Sequence, residues 1–154
     1  MAKRIKIGDI VQVLTSEGVA YAQVTHKHKE YGHLIRIFSG FFAKQPKDFG
    51  EMVNQSPQFS AFFPVQHAVN QGLLSVVGNA KVSDANMVFP KFRTAARDKD
   101  GNRGPWWIWD GEQSEMLKRD LTEEEKAYPV RGIISAPLLV ERIEKGYRPE
   151  THDV

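Results

Sequence analysis

Apolar and polar positions along this chain alternate in short runs separated by glycine, a texture that predicts strands joined by turns. Ile10, Val11 and Val13 are β-branched and suit a pleated surface, so residues 5–13 read as a first strand interrupted by a turn at Gly8-Asp9. Thr15-Ser16-Glu17-Gly18 is a turn cluster whose glycine is free to take positive φ. A second strand is predicted over 19–25. After the polar stretch from His26 to His33, a third is predicted over 34–38. Three strands at this spacing predict a meander. Residues 39–60 then predict a long irregular connection whose Phe41, Phe42, Phe49 and Phe59 cover the sheet. Connections of that length are uncommon in a compact domain unless they are functional.

A short helix is predicted after Pro64, because Val65, Ala68 and Val69 keep helical spacing and Gly72 stands at the C-terminal cap. Residues 73–77 predict a strand ended by Gly78-Asn79, and Pro90 makes Met87-Val88-Phe89 an edge or a strand end. Residues 95–104 form a polar loop with a tight turn at Asp100-Gly101. All three tryptophans follow within four residues, in Trp106-Trp107-Ile108-Trp109. On a strand, Trp106 and Ile108 face one way and Trp107 and Trp109 the other. The favoured reading is a core strand packed on both faces. The other is a strand that offers one face to a partner, since tryptophan is enriched at interface hot spots.

The last third predicts helices. Thr122 with Glu125 three residues on is a capping box, and the acidic first turn suits the helix dipole. Pro129 ends that helix. Ser135-Ala136-Pro137 opens another, with Leu139 and Ile143 one turn apart on its buried face and Gly146 as its stop. The segment from Arg148 to Val154 is expected to be exposed. The pattern as a whole predicts an α+β fold with a predominantly antiparallel, strongly bent sheet or small partly open barrel and a few short helices. A single domain is expected over 1–154, with flexible ends at 1–4 and 147–154.

Composition narrows the chemistry. At 154 residues, 41% hydrophobic and 26% charged, the chain has the profile of a soluble globular protein able to bury a core. It has no cysteine, which excludes disulfides, thiolate metal sites and cysteine nucleophiles and agrees with a cytoplasmic location. No apolar run approaches the roughly 20 residues that span a bilayer, so no membrane partner is expected. The basic start Lys3-Arg4-Ile5-Lys6 is broken by Gly8-Asp9 before any apolar run and does not read as a signal peptide. The net charge of +2 is unevenly spread: +4 over residues 1–50, +2 over 51–109 and −4 over 110–154.

His26-Lys27-His28-Lys29-Glu30-Tyr31-Gly32-His33 is the densest chemical cluster. An H-x-H pair on a strand could hold a metal with His33 or Glu30, but the two lysines disfavour a dication. The same cations beside Tyr31 could contact RNA, and a hydrophilic hairpin tip is the plainer reading. Asp98, Asp100, Asp110 and Glu112 could pair as catalytic carboxylates, yet carboxylates flanking a turn more often cap backbone. His67 reads as a helix-surface residue. No Gly-x-Ser-x-Gly elbow and no Gly-rich phosphate loop occurs. The expectation is therefore no catalytic residue, no metal and no cofactor.

Three segments together resemble the immunity protein 26 family of bacterial polymorphic toxin systems. They are Lys6-Ile7-Gly8-Asp9-Ile10-Val11-Gln12-Val13 with Tyr21-Ala22-Gln23-Val24; Phe62-Phe63-Pro64-Val65 through Gly72-Leu73-Leu74-Ser75-Val76-Val77-Gly78, with Phe89-Pro90-Lys91-Phe92-Arg93; and Trp107-Ile108-Trp109-Asp110-Gly111. The resemblance implies a cytoplasmic protein that binds and neutralises a cognate toxin domain. Against a nuclease toxin, the acidic set Asp110, Glu112, Glu115, Asp120, Glu123, Glu124 and Glu125 would face a basic cleft. The partner-binding residues expected on this reading are Trp107, Trp109, Asp110, Glu112, Glu123, Glu124 and Glu125. The alternative is a nucleic-acid-binding SH3-like or barrel module, supported by the basic N-terminal excess and the 26–33 loop.

Overall fold

β-Branched residues on both faces of the first hairpin mean that its strands are buried on both sides. The computed structural model, which describes residues 4–151, places β1 at Asp9–Thr15, β2 at Gly18–His28 and β3 at Gly32–Ile37. Residues 5–8 form a loop and turn, so the first strand starts at Asp9, where Lys6 N–H and Asn79 Nδ2 donate to the two carboxylate oxygens. β4 (Phe59–Phe62) and β5 (Ser75–Asn79) complete an antiparallel sheet in the order β4-β3-β2-β1-β5. The sheet is open, ending on β4 and β5, and no barrel closes.

One face of this sheet carries Val11, Val13, Ala20, Ala22, Val24, Ile35 and Ile37. Two helices cover it: α1 (Val65–Asn70) through Val65 and Ala68, and α4 (Ala136–Glu144) through Leu139 and Ile143. Burying each of those two α4 side chains contributes about 2 kcal/mol. Ser135 Oγ caps α4 by accepting from Leu138 N–H at 3.3 Å, and Pro137 sits in the first turn, as the sequence predicts. The opposite face carries Ile10 and Tyr21, covered by Phe49, Met52 and Val53 of the long 38–58 connection. That connection is shorter than expected because Phe59 already belongs to β4, and Phe41 is exposed rather than covering the sheet.

The apolar run at 87–89 is not a strand end. Ser83 caps a one-turn helix, α2 (Asp84–Met87), by accepting from Asn86 N–H at 3.2 Å, and Met87 and Val88 are exposed. Contacts divide the chain into two compact units. The first holds the residues up to Val88 together with Gly132–Tyr147. The second holds Phe89–Arg131 and the residues from Arg148 on.

In the second unit β6 (Phe92–Thr94), β7 (Trp107–Trp109) and β8 (Ser114–Met116) form an antiparallel sheet with β7 at the centre. α3 (Glu123–Lys126) begins with the predicted capping box: Thr122 Oγ1 accepts from Glu125 N–H and a Glu125 oxygen accepts from Thr122 N–H. Of the ends expected to be flexible, residues 1–3 and 152–154 lie outside the described residues. Arg148 and Glu150 are exposed, but Pro149 is buried and its carbonyl accepts from Arg93 Nη2. Among the described residues no helix is long and apolar enough to cross a membrane.

Candidate functional site

β7 divides the tryptophans by strand alternation. Trp106 and Ile108 pack with Leu117, Leu121 and Tyr128 on one face of the small sheet. The guanidinium groups of Arg93 and Arg103 lie over the Trp106 ring at 5.1 and 4.8 Å. On the other face Trp109 is 3% exposed, edge-on to Phe89 at 6.0 Å, against Phe92 at 5.3 Å and under Arg131 at 4.2 Å. Trp109 is therefore a packing residue, whereas Trp107, one pair further along the same face, is 38% exposed. Directly across the ladder from Trp107 stands Met116, also exposed. This cross-strand pair is the exposed apolar centre of the second unit's sheet.

Asp110 shapes the turn that sets that pair. Its Oδ1 accepts from Glu112 N–H at 2.9 Å and Gln113 N–H at 2.8 Å, which holds its pKa below the usual carboxylate value. Gly111 follows at φ +103°, and an added Cβ would lie 2.7 Å from Phe89, so the turn requires glycine for both conformation and space. Glu112 is exposed beyond it.

The acidic residues of α3 belong elsewhere. Leu121 and Tyr128, which flank α3, pack on the Trp106–Ile108 face, opposite to Trp107. Glu123 and Glu124 are exposed there, with Glu123 paired to Lys126 at 3.0 Å. Glu125 is committed internally. Arg119 holds both its oxygens, at 2.7 and 3.0 Å, and Thr122 N–H donates to it, so its pKa falls to about 2. The structure thus unites Trp107, Asp110 and Glu112 on one hairpin and places Glu123, Glu124 and Glu125 on another surface. Met116, which sequence reasoning missed, lies in a three-residue strand too short and polar to show alternation.

Two histidines of the 26–33 cluster, His26 and His28, are engaged in hydrogen bonds within the chain. His26 Nε2 lies 2.7 Å from Met87 O and its Nδ1 lies 2.9 Å from Thr25 Oγ1. A carbonyl can only accept, so Nε2 carries the proton and Nδ1 accepts from the threonine hydroxyl. His28 Nδ1 accepts from the N–H groups of Glu30 and Tyr31, and Tyr31 stacks on Phe62 at 4.9 Å. His67 is exposed on α1. Asp98 Oδ1 accepts from the N–H groups of Asp100 and Asn102, capping the 95–104 loop. Among the described residues no group of three His, Asp or Glu could hold a metal ion.

A second polar centre went unread in the sequence. Arg36, 6% exposed in β3, donates to Thr25 Oγ1 (3.3 Å), Ser60 Oγ (3.1 Å), Asn86 O (3.1 Å) and Val88 O (2.8 Å). Three successive carbonyls, those of Asn86, Met87 and Val88, are thus held by Arg36 and His26. Every acceptor is neutral, and burial lowers the Arg36 pKa to about 10. This cluster ties the 80–88 segment to the sheet and is a structural device. In comparisons with family models, curated proteins and solved structures, nothing matches the chain.

Proposed function

We propose that this protein is a cytoplasmic immunity protein that binds one cognate toxin domain of a bacterial polymorphic toxin system and neutralises it by occupying its surface. Three resembling segments support the reading, but the observation that carries it is the Trp107–Met116 pair. A large aromatic left exposed on the central strand of a small sheet, with its neighbours Trp106 and Trp109 buried, is a rigid anchor of the kind that dominates binding energy. Carboxylates at Asp110 and Glu112 border it, which favours a partner with a basic rim. Catalysis is not part of the proposal; of the candidate carboxylates, Asp98 and Asp110 accept backbone N–H groups within their own turns.

The test is growth. Toxin domains encoded beside this chain's own gene are expressed with and without it, and colony survival is counted. Survival with the wild type, lost or sharply reduced with Trp107→Ser through an affinity loss of about 2 kcal/mol or more, is expected. If no neighbouring toxin is neutralised, and the protein instead binds oligonucleotides with an affinity that falls steeply with salt, the nucleic-acid reading replaces this one.

A further inference from the structure

We infer that the outer edge of β8 is a strand-docking site, taking an extended segment of a protein partner in which cationic residues alternate with apolar ones. The inference rests on reading the second unit as the partner-binding surface, and it names how that partner is held.

The two edges of the small sheet are treated differently. Beyond β6 the chain returns to cover the edge: Arg93 N–H donates to Pro129 O and Arg131 N–H donates to Arg93 O, both at 2.9 Å. Beyond β8 no strand follows in the sheet order. Which β8 groups face outward follows from its ladder with β7. Asp110 N–H donates to Gln113 O at 3.1 Å and Leu117 N–H donates to Trp106 O at 2.8 Å. In an antiparallel ladder these bonds recur at every second residue, so Gln113, Glu115 and Leu117 turn their backbone groups toward β7. Ser114 and Met116 therefore turn theirs away, and two N–H donors and two carbonyl acceptors point off the edge. An open cleft of ≈ 460 Å³ lies at Met116, lined also by Glu115, Leu117, Lys118 and Arg119. Such an edge is a template for pairing unless it is covered, bulged, or blunted by proline or charge. In the three-residue β8 the one charged side chain is Glu115, which selects the partner it admits.

Side-chain alternation sets the chemistry of the occupant. An added strand would place every second side chain beside Met116, with Trp107 behind it, and the others beside Glu115 on the opposite face. Glu115 makes no salt bridge among the described residues, and Arg119, which feels its charge, gives both guanidinium nitrogens to Glu125 instead. α3, whose flanking Leu121 and Tyr128 pack on the same face of the sheet, carries the exposed Glu124. Apolar residues fit the first side and lysine or arginine the second. Lys118 marks the end of the favourable stretch.

The test uses the whole chain and synthetic peptides of about seven residues, the length of an ordinary strand. One peptide alternates lysine with valine and its counterpart alternates glutamate with valine. Amide exchange at Ser114 and Met116 is followed by NMR. At about ten times its dissociation constant the lysine peptide is expected to slow both amides roughly tenfold, since only the unbound fraction exchanges. The glutamate peptide is expected to leave them unchanged. Met116→Pro removes an outward N–H without costing a bond to β7, so it should fold and lose the protection, while Met116→Thr should keep it. Equal protection by both peptides, none by either, or full protection in Met116→Pro would overturn the inference. Toxin neutralisation that persists in Met116→Pro would overturn it too while leaving the immunity reading intact. Docking of the lysine peptide without any toxin neutralised would do the reverse.

Discussion

At the scale of single residues, Arg36 and His26 show how much is at stake in a few atoms. Arg36 holds four neutral oxygens from β2, β4 and the 86–88 backbone, and no carboxylate shares its shell. Replacing it by methionine keeps the length but strands two carbonyls and two hydroxyls, so a loss of about 3 kcal/mol in urea unfolding is expected. Arg36→Lys should recover little of that, because a point cation cannot span the same fork of acceptors. In the sequence this arginine looks like the polar position of an alternating strand, and nothing local marks its burial. His26 adds a pH dependence. Burial lowers its pKa from the ordinary 6.5, against the raising effect of its bond to Met87 O and with the Arg36 charge adding to the lowering. The unfolded chain therefore takes up the proton more readily than the folded one, and stability is full above pH 6.5 and declines as pH falls below it. His33 is shifted the same way, so His26→Gln should reduce the slope of unfolding free energy against pH between 5 and 6.5 without abolishing it.

Elements follow the local code closely wherever their signals are self-contained. The capping box at Thr122 and the Ser135 cap with Pro137 are each satisfied within a few residues, and the Leu139/Ile143 face is marked by helical spacing alone, which is why all were legible. Elements defined by distant partners were not. β4 is a strand because β3 offers it an edge, and β8 because β7 does; neither Phe59–Phe62 nor Ser114–Met116 carries a pattern that insists on it. The candidate site was legible in the same measure. Alternation separated Trp106 from Trp107, but which tryptophan stays exposed depends on Phe89, Phe92 and Arg131, contributed by other segments. α3 supplies an acid-sensitive element. The Glu125 pKa falls from 4.5 to about 2, first through its bonds with Arg119 and then through that with Thr122 N–H. Its contribution is present above pH 4.5 and is lost as pH falls toward 2. Protection of the Thr122 and Glu125 amides, taken relative to their intrinsic exchange at each pH, should fall across that window, and Thr122→Ala, at a cost of about 1 kcal/mol, should lower it already at neutral pH.

For the whole molecule, the order in which the chain visits its two units matters more than any one contact. The first unit draws α4 from beyond residue 131, and the second takes the Pro149 carbonyl that Arg93 bonds. Ending the chain after Arg131 removes Leu139 and Ile143 from the first core and about 4 kcal/mol of burial with them. That is a large share of the stability of a small domain, and such a fragment is expected to lack a cooperative thermal transition. Persistence of the full transition in the fragment would show that α4 is dispensable. Neither unit has all its parts until the segment after residue 131 has been synthesised. During translation, then, neither can be finished and set aside while the rest emerges. A chain cut short by a premature stop or a frameshift before residue 132 therefore leaves parts missing from both units at once.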